Sequence, residues 1–402
     1  MLRLEDFRYI VPDEVLAEIY ARARSLYGRH VVHLNATYQG GGVAEILYSL
    51  VLLMNDVGLD AGWRILHGSQ EFFEITKSFH NALQGGRLNL TEKKKQMYMK
   101  VNQTFSRFTH LGHDCVIVHD PQPLSLVRSY QKRQPWIWRC HIDLSSPHEE
   151  LWDFLKGFVL KYDQVVMSSE DYFKKDLPID QRLMYPAINP LSEKNRQMPK
   201  KRLMDHIHKA GIPTDKPLMT QVSRLDPWKD PEGVIDVFKL VRQNVDCRLL
   251  FLYNVASDDP EGLRMYDKVM RKANKLYKDG HIVFAVGNNE TLVNAVQQYS
   301  DVIIQKSTKE GFCLAVTEAL WKSRPVVASN VGGLPAQIDD GKNGYLVDPH
   351  DVEGFAKRIT HILKNPDEAK QLGENARETV RNKFLITRLL SDYLDMLNAI
   401  MH

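Results

Sequence analysis

Two carboxylates stand eight positions apart in the stretch Lys309-Glu310-Gly311-Phe312-Cys313-Leu314-Ala315-Val316-Thr317-Glu318-Ala319-Leu320. Ser307, Thr308 and Gly311 interrupt an apolar strand at 301–305, and a helix-forming run begins near Phe312. Glu310 therefore precedes the helix and Glu318 lies on it. Eight residues are slightly more than two turns, which would set both carboxylates near one face, about 12 Å apart, if the helix ran throughout. Carboxylates accept hydrogen bonds from hydroxyls, and that separation suits a sugar at one end and a ribose at the other. Unpaired amides at the start of such a helix offer donors to sugar hydroxyls or phosphate oxygens. A solvated helix with two exposed glutamates fits the same spacing, and spacing alone favours that simpler reading.

Other stretches shift the balance. Ser223-Arg224-Leu225-Asp226-Pro227-Trp228-Lys229-Asp230 follows an apolar strand at 218–222 and puts two cations on a loop at its carboxyl end. Arginine can fork onto two phosphate oxygens while lysine supplies a compact charge, a pairing that would stabilise a departing phosphate. Near the N-terminus, a strand at 30–35 leads through Thr37-Tyr38-Gln39 to Gly40-Gly41-Gly42 and a helix at 43–56. Glycines there let backbone approach a ligand, and amides entering a helix can receive a diphosphate. The loop lacks the G-x-G-x-x-G spacing of a dinucleotide site, and a tight turn explains it equally well. Two further constellations, His119-Asp120-Pro121-Gln122-Pro123 and Arg139-Cys140-His141-Ile142-Asp143, fall at strand ends. Singly, such residues are more often caps or satisfied histidines; together they favour one polar cleft. Asn330-Val331-Gly332-Gly333-Leu334-Pro335 and Asp340-Gly341-Lys342-Asn343-Gly344 read as turns, the first at the edge of a nucleotide pocket.

The elements that must position these groups follow from length and pattern. A chain of 402 residues calls for two domains, or three, each with its own core. Strands at 61–66, 115–119, 136–141 and 164–168 alternate with helical patterns at 121–131 and 148–160, which argues for a parallel, doubly wound sheet. Ligands of such sheets collect at the carboxyl ends of the strands. Tyr185-Pro186-Ala187-Ile188-Asn189-Pro190 is an extended, proline-bounded segment, and the polar stretch 192–202 after it reads as a crossing between domains with a hinge near 190. A second alternation has strands at 218–222, 248–253, 281–284, 302–304 and 325–328. The expected domains are 1–190 and 191–384, with a last helix at 385–402 crossing back to the first.

Composition excludes several classes. Hydrophobic residues make up 43% and no apolar run nears the ~20 residues of a membrane helix, so no membrane association is expected. Residues 1–9 mix charges among apolar positions, unlike a signal peptide, and a cytoplasmic location is expected. Cys115, Cys140, Cys247 and Cys313 form no Cys-x-x-Cys pair, so neither zinc site nor disulfide framework is indicated. A net charge of +3 gives no reason to expect nucleic acid, and Lys93-Lys94-Lys95 reads as the wet face of a helix.

Taken jointly, Gly40-Gly41-Gly42, Arg139-Cys140-His141, Arg224 with Lys229, and Glu310 with Glu318 resemble the retaining glycosyltransferases of GT-B architecture, over nearly the whole chain. The resemblance implies an α/β fold of two Rossmann-like domains facing each other across a cleft. Gly40-Gly41-Gly42-Val43-Ala44-Glu45-Ile46-Leu47, Phe79-His80-Asn81-Ala82-Leu83-Gln84-Gly85, Val118-His119-Asp120-Pro121-Gln122-Pro123 and Trp138-Arg139-Cys140-His141-Ile142-Asp143-Leu144-Ser145-Ser146-Pro147 are more specific, and resemble the trehalose glycosyltransferring synthases. The retaining trehalose phosphorylases are relatives of that group. By resemblance, donor groups are Gly41, Gly42, Arg224, Lys229, Glu310, Gly311, Phe312, Leu314 and Glu318, with Glu310 and the 311–312 amides on the sugar and Glu318 on the ribose. His141 would meet the donor sugar near the reacting carbon, and Asp120, Gln122 and Arg139 would serve the acceptor. The implied reaction moves glucose from a nucleoside diphosphate glucose to the anomeric hydroxyl of glucose. A phosphorylase using phosphate, and a sugar or nucleotide sensor without turnover, are the alternatives. No metal is expected to be required, although Mg2+ would accompany the nucleotide, and a homodimer is expected. Cys313 stands where the family commonly has a second glycine, adding bulk beside the sugar, and Asn254 where a glycine often ends the second strand of the nucleotide half.

Overall fold

The computed structural model describes residues 2–38, 41–254, 260–287 and 289–401. Gly40 of the glycine loop and the side chain of Asn254 lie outside the described residues. The chain divides into two compact units, residues 1–187 with 385–402, and residues 188–384.

In the N-terminal unit the strands are β1 (His30–Asn35), β2 (Asp60–Ile65), β3 (Cys115–His119), β4 (Trp136–Arg139), β5 (Gln164–Met167) and β6 (Asp180–Leu183). They pair in parallel in the order β2-β1-β3-β4-β5-β6. β3, β4 and β5 are buried at every position, as expected of strands covered on both faces. Because β2 and β3 flank β1, the chain leaves β1 in both directions, and a crevice opens at the carboxyl ends of β1 and β3. The glycine loop follows the first of these strands, and His119-Asp120 ends the second. The final helix, Ile386–Met401, packs on the helices Asp13–Ala23 and Gly42–Asp56, where Asn398 donates to the Arg22 carbonyl (2.9 Å).

The C-terminal unit holds β7 (Leu218–Arg224), β8 (Arg248–Asn254), β9 (Ile282–Val286), β10 (Val302–Gln305), β11 (Val326–Ser329) and β12 (Tyr345–Val347), all parallel, in the order β12-β11-β10-β7-β8-β9. Counted from β7 this is the 3-2-1-4-5-6 arrangement, with its switch point between β7 and β10. The period of two sorts its core: Leu249, Phe251 and Tyr253 join one apolar cluster, Leu250 and Leu252 the other.

Two expectations are corrected. Residues 121–131 form not a helix but a short 3-10 turn, Leu124–Ser129, whose first four residues are all buried and so give no amphipathic stripe. The helix expected from Phe312 begins at Leu314, because Cys313 takes a left-handed φ of 76°. Glu310 is therefore on a loop, not on the same helical cylinder as Glu318.

Candidate active site

At the β7/β10 switch point two loops meet. The one after β7 passes through Asp226, whose carboxylate accepts from the Trp228 amide (2.9 Å), into a 3-10 turn at Pro227–Lys229. The Thr308 amide then donates to the Trp228 carbonyl (2.8 Å), tying this turn to the loop after β10. The tie brings Lys229 onto Glu310: the ammonium bonds the carboxylate directly, and Ser307 Oγ donates to the same oxygen (3.2 Å). The side chains are only 17% and 10% exposed. Burial pulls the Lys229 pKa down, but Glu310, with Cys313 and Asp226 behind it, outweighs that and holds it above its ordinary value, so the ammonium stays charged at neutral pH. Arg224, at the end of β7, is 61% exposed and reaches the Asp226 carboxylate at 3.3 Å. Two cations and one carboxylate of the predicted donor set are thus gathered at one strand edge.

The loop 310–312 is braced by Gly333, from the turn read from sequence as edging the pocket, and by Gln337, which no sequence pattern singled out. The Gly333 amide donates to the Glu310 carbonyl (3.2 Å), and Gln337 donates to the Phe312 carbonyl. Gln337 also accepts from Thr317 Oγ1 (2.7 Å), fixing the loop to the helix Leu314–Trp321 that carries Leu314 and Glu318. A Cβ at Gly333 would stand 2.7 Å from the Gly311 oxygen and from Phe312 Cα, both backbone. Gly333→Ala must therefore displace the 310–312 loop, and transfer is expected to fall at least about tenfold through misplacement alone, with melting shifted by a few degrees. Steady-state kinetics with a melting curve check this, and full activity would show the loop's placement to be immaterial.

Glu318 lies deeper than expected for a ribose contact: it is 1% exposed. Lys194 reaches its Oε1 at 2.9 Å, and Gln297 donates to Oε2 at 3.3 Å while accepting from Lys322 (2.7 Å). Lys194 falls in the segment read from sequence as a polar crossing, so its role was missed; a lysine there carried no periodic signal.

In the N-terminal unit the loop after β3 turns on Asp120, which adopts φ 60°, a conformation an aspartate tolerates better than most residues. Its Oδ1 accepts from the His141 amide (2.8 Å), and its own amide donates to the Arg139 carbonyl (2.9 Å), so the two predicted constellations are joined. Burial raises the Asp120 pKa to about 6, against the lowering effects of the His141 amide and Arg139. From beneath, Tyr98 OH donates to the Pro121 carbonyl (2.6 Å) and Asn102 to the Gln122 carbonyl (3.0 Å). Both come from the helix Glu92–Ser106, which sequence reading noted only for its lysines. The Gln122 side chain is half-buried on that loop.

Arg139, expected on the acceptor, points into the protein. It is 1% exposed and donates to the carbonyls of Met184 (2.6 Å) and Met167 (3.4 Å), which ties β4 to β5 and to the residue after β6. Its cation serves structure and also acts on the field around Asp120, lowering that group's pKa. Gly41 caps the helix Gly42–Asp56 with φ 133°, a conformation that favours glycine. Cys313 takes its left-handed conformation without being glycine, which explains why glycine suits that position. The four cysteines are free thiols. Among the described residues no group of three His, Cys, Asp or Glu side chains converges as a metal-ligand set, and no helix is long and apolar enough to cross a membrane.

Comparison with known proteins bears on both units. The family described as trehalose synthase, N-terminal domain, matches residues 33–174, and glycosyl transferases group 1 matches residues 205–379. The trehalose synthase of Thermococcus litoralis is 45% identical over 99% of this chain and 97% of its own. A trehalose phosphorylase of Pleurotus pulmonarius is 27% identical, over 87% of this chain but 54% of its own length. Among solved structures, a UDP-forming α,α-trehalose-phosphate synthase of Burkholderia xenovorans superposes with a TM-score of 0.74 at 15% identity, over 93% of this chain and all of that one, a likeness of fold. With identity of this level running end to end, and with two parallel Rossmann-like sheets of the GT-B kind, the chain belongs to the trehalose synthase family of glycosyltransferases.

Proposed function

We propose that the protein transfers glucose from a nucleoside diphosphate glucose to the anomeric hydroxyl of free glucose, giving α,α-trehalose with retention at the donor carbon. The observation that carries this reading is the Lys229–Glu310 pair beside Arg224 at the β7/β10 switch point. A carboxylate for sugar hydroxyls next to cations for phosphate is what a glycosyl phosphate needs. In the proposed step the bond between the donor anomeric carbon and the diphosphate oxygen breaks while the acceptor oxygen bonds the same carbon from the same face. The acceptor's proton passes to the departing diphosphate oxygen. No protein nucleophile enters. Arg224 and Lys229, with the Gly41 and Gly42 amides, stabilise the charge that develops on that oxygen. Glu310 with the Gly311 and Phe312 amides holds the donor sugar, beside Leu314, and Glu318 takes the ribose. His141 is assigned to the donor sugar near the reacting carbon, and Asp120 with Gln122 to acceptor hydroxyls. The scheme asks for no metal of the protein's own; Mg2+ can accompany the nucleotide.

For Glu318 to take a ribose, the ribose hydroxyls must reach a buried carboxylate that Lys194 already meets at 2.9 Å. A contact made equally in ground and transition states sets binding rather than turnover. Glu318→Ala is therefore expected to raise the donor KM more than it lowers kcat. It should also lower stability, since truncation removes the buried carboxylate that Lys194 and Gln297 meet. Saturation kinetics decide the role: an unchanged KM with a collapsed kcat removes the ribose assignment.

The function is tested by incubating the protein with glucose and, separately, UDP-glucose, ADP-glucose or glucose 1-phosphate, and identifying any disaccharide by NMR. Trehalose from a nucleotide donor is the expected result. Trehalose from glucose 1-phosphate alone would replace this reading with a phosphorylase, and no product from any donor would leave a sensor.

A further inference from the structure

Three imidazoles run in one hydrogen-bonded file through the N-terminal unit. His33 Nδ1 lies 3.0 Å from His119 Nε2, and His119 Nδ1 lies 3.0 Å from His141 Nε2. The 119 and 141 rings stack with centroids 5.3 Å apart and planes 14° from parallel. The file starts on β1, crosses to its neighbour β3 and ends just after β4, on the residue whose amide holds Asp120. His33 and His119 are fully buried. Burial holds the pKa of His33 down to about 3 and those of His119 and His141 well below the ordinary imidazole value; for His119 the neighbouring histidines and Arg139 add to the effect, and for His141 Arg139 does. All three rings are neutral at pH 7.

A neutral imidazole carries one N–H and one lone pair. Each link in the file joins the Nδ1 of one ring to the Nε2 of the next, so both links form only if all three rings are protonated on the same-named nitrogen. The tautomer of His33 thereby dictates the tautomer of His141, two rings away. The inner end chooses between the two states. His33 Nε2 is buried without a hydrogen-bond partner, packed near the Tyr393 ring. With protons on Nε2 the file would end in an orphaned buried N–H; with protons on Nδ1 it ends in a bare lone pair. Orphaned buried N–H groups are the rarer and more costly of the two.

We propose that His33 and His119 are positioning residues that lock His141 in its Nδ1–H tautomer, making the outer nitrogen of that ring a fixed hydrogen-bond donor to an oxygen of the bound sugar. The role in transfer rests on the function proposed above; the tautomer assignment does not. The file is not a proton relay. Passing a proton inward from His141 would require His33 Nε2 to release or accept one, and that nitrogen has no partner. Its contribution is orientation, with a donor that needs no rearrangement when substrate arrives.

The test is long-range 1H–15N NMR of histidine-labelled wild-type protein at pH 7, with the three residues assigned by substitution. Protonated Nδ1 and bare Nε2 in all three rings is the expected result. A proton on Nε2, or a doubly protonated ring, at any of the three overturns the proposal whether or not transferase activity is found. His33→Leu removes the donor to His119 and frees the file to mix tautomers, so kcat is expected to fall about tenfold with donor KM within about twofold. His33→Asn, whose amide can stand near the old Nδ1 position, should restore both the His141 signature and most of the turnover. If His33→Leu leaves kcat and the His141 spectrum unchanged, the positioning role is wrong. Should that variant fail to fold, as a melting curve would reveal, the wild-type spectrum and His33→Asn still decide.

Discussion

Lys229→Ala is expected to lower kcat at saturating donor by a factor on the order of 10² or more, as loss of a single transition-state donor commonly does. The ammonium is charged and mostly buried against Glu310, so it acts at short range in a poorly screened environment. The same contact raises a rival explanation: alanine would take the Lys229 ammonium off the Glu310 carboxylate while Ser307 Oγ still donates to it, and the loss could be that of a misplaced, repelled sugar. Pairing the substitution with Glu310→Gln separates the two. If Lys229 only neutralises Glu310, the double variant recovers turnover relative to Lys229→Ala; if Lys229 also meets the departing phosphate, it does not. Arg224→Ala should cost a similar factor with no change in melting, because that side chain is 61% exposed and holds little of the fold. Near-normal turnover in Lys229→Ala at saturating donor would end the leaving-group assignment.

How far this site could be read from sequence depends on the kind of interaction. Strands buried on both faces, such as β3 and β10, announce themselves as apolar runs between turn residues, and the residues at their carboxyl ends follow at once. Two of the four edge strands do not. β6 reads Asp180-Gln181-Arg182-Leu183, with a single apolar residue, and β12, Tyr345-Leu346-Val347, is apolar but only three residues long, so both escaped. The order of strands about β7 places Glu310 beside Lys229, a pairing across 81 positions that no local pattern contains. Arg139 shows the opposite failure. Its place in one polar cluster with His141 suggested a shared cleft, but Arg139 is the last residue of β4 while His141 lies past the strand's end, where strand periodicity no longer relates the two side chains, and Arg139 turns inward to the Met184 carbonyl. Tyr98, Asn102 and Lys194 bond loops from helices and segments with no chemistry-bearing motif of their own, and only the folded chain reveals them.

Acidification from pH 6 to 5 is expected to cost the N-terminal unit about 3 kcal/mol of stability, an unusually steep loss for so mild a change. The sign follows from the groups in the crevice. His33, His119 and His141 are held neutral in the folded unit, with pKa values depressed below 6.5, His33 to about 3. Below pH 6.5 the unfolded chain takes up a proton at each and the folded one does not, so stability falls as pH falls. Asp120 works the other way: raised to about 6, it binds its proton in the folded unit before the unfolded chain does, so stability falls as pH rises from its ordinary value of 3.8 through 6. Three protons favouring the unfolded chain against one favouring the folded leave a net of about two near pH 5.5, and each contributes about 1.4 kcal/mol per pH unit. Arg139, beside Asp120 and His141, stays charged throughout and sets no slope, and Tyr393, its pKa raised by burial, stays neutral. Urea unfolding followed by tryptophan fluorescence at intervals from pH 7.5 to 5 measures the slope. Asp120→Asn removes the opposing proton while keeping an acceptor for the His141 amide, so the loss should become steeper by about one proton. Stability that is flat between pH 7 and 5 would mean that the imidazoles are not held neutral in the folded protein, and a slope no steeper in Asp120→Asn would mean that Asp120 does not take up its proton there.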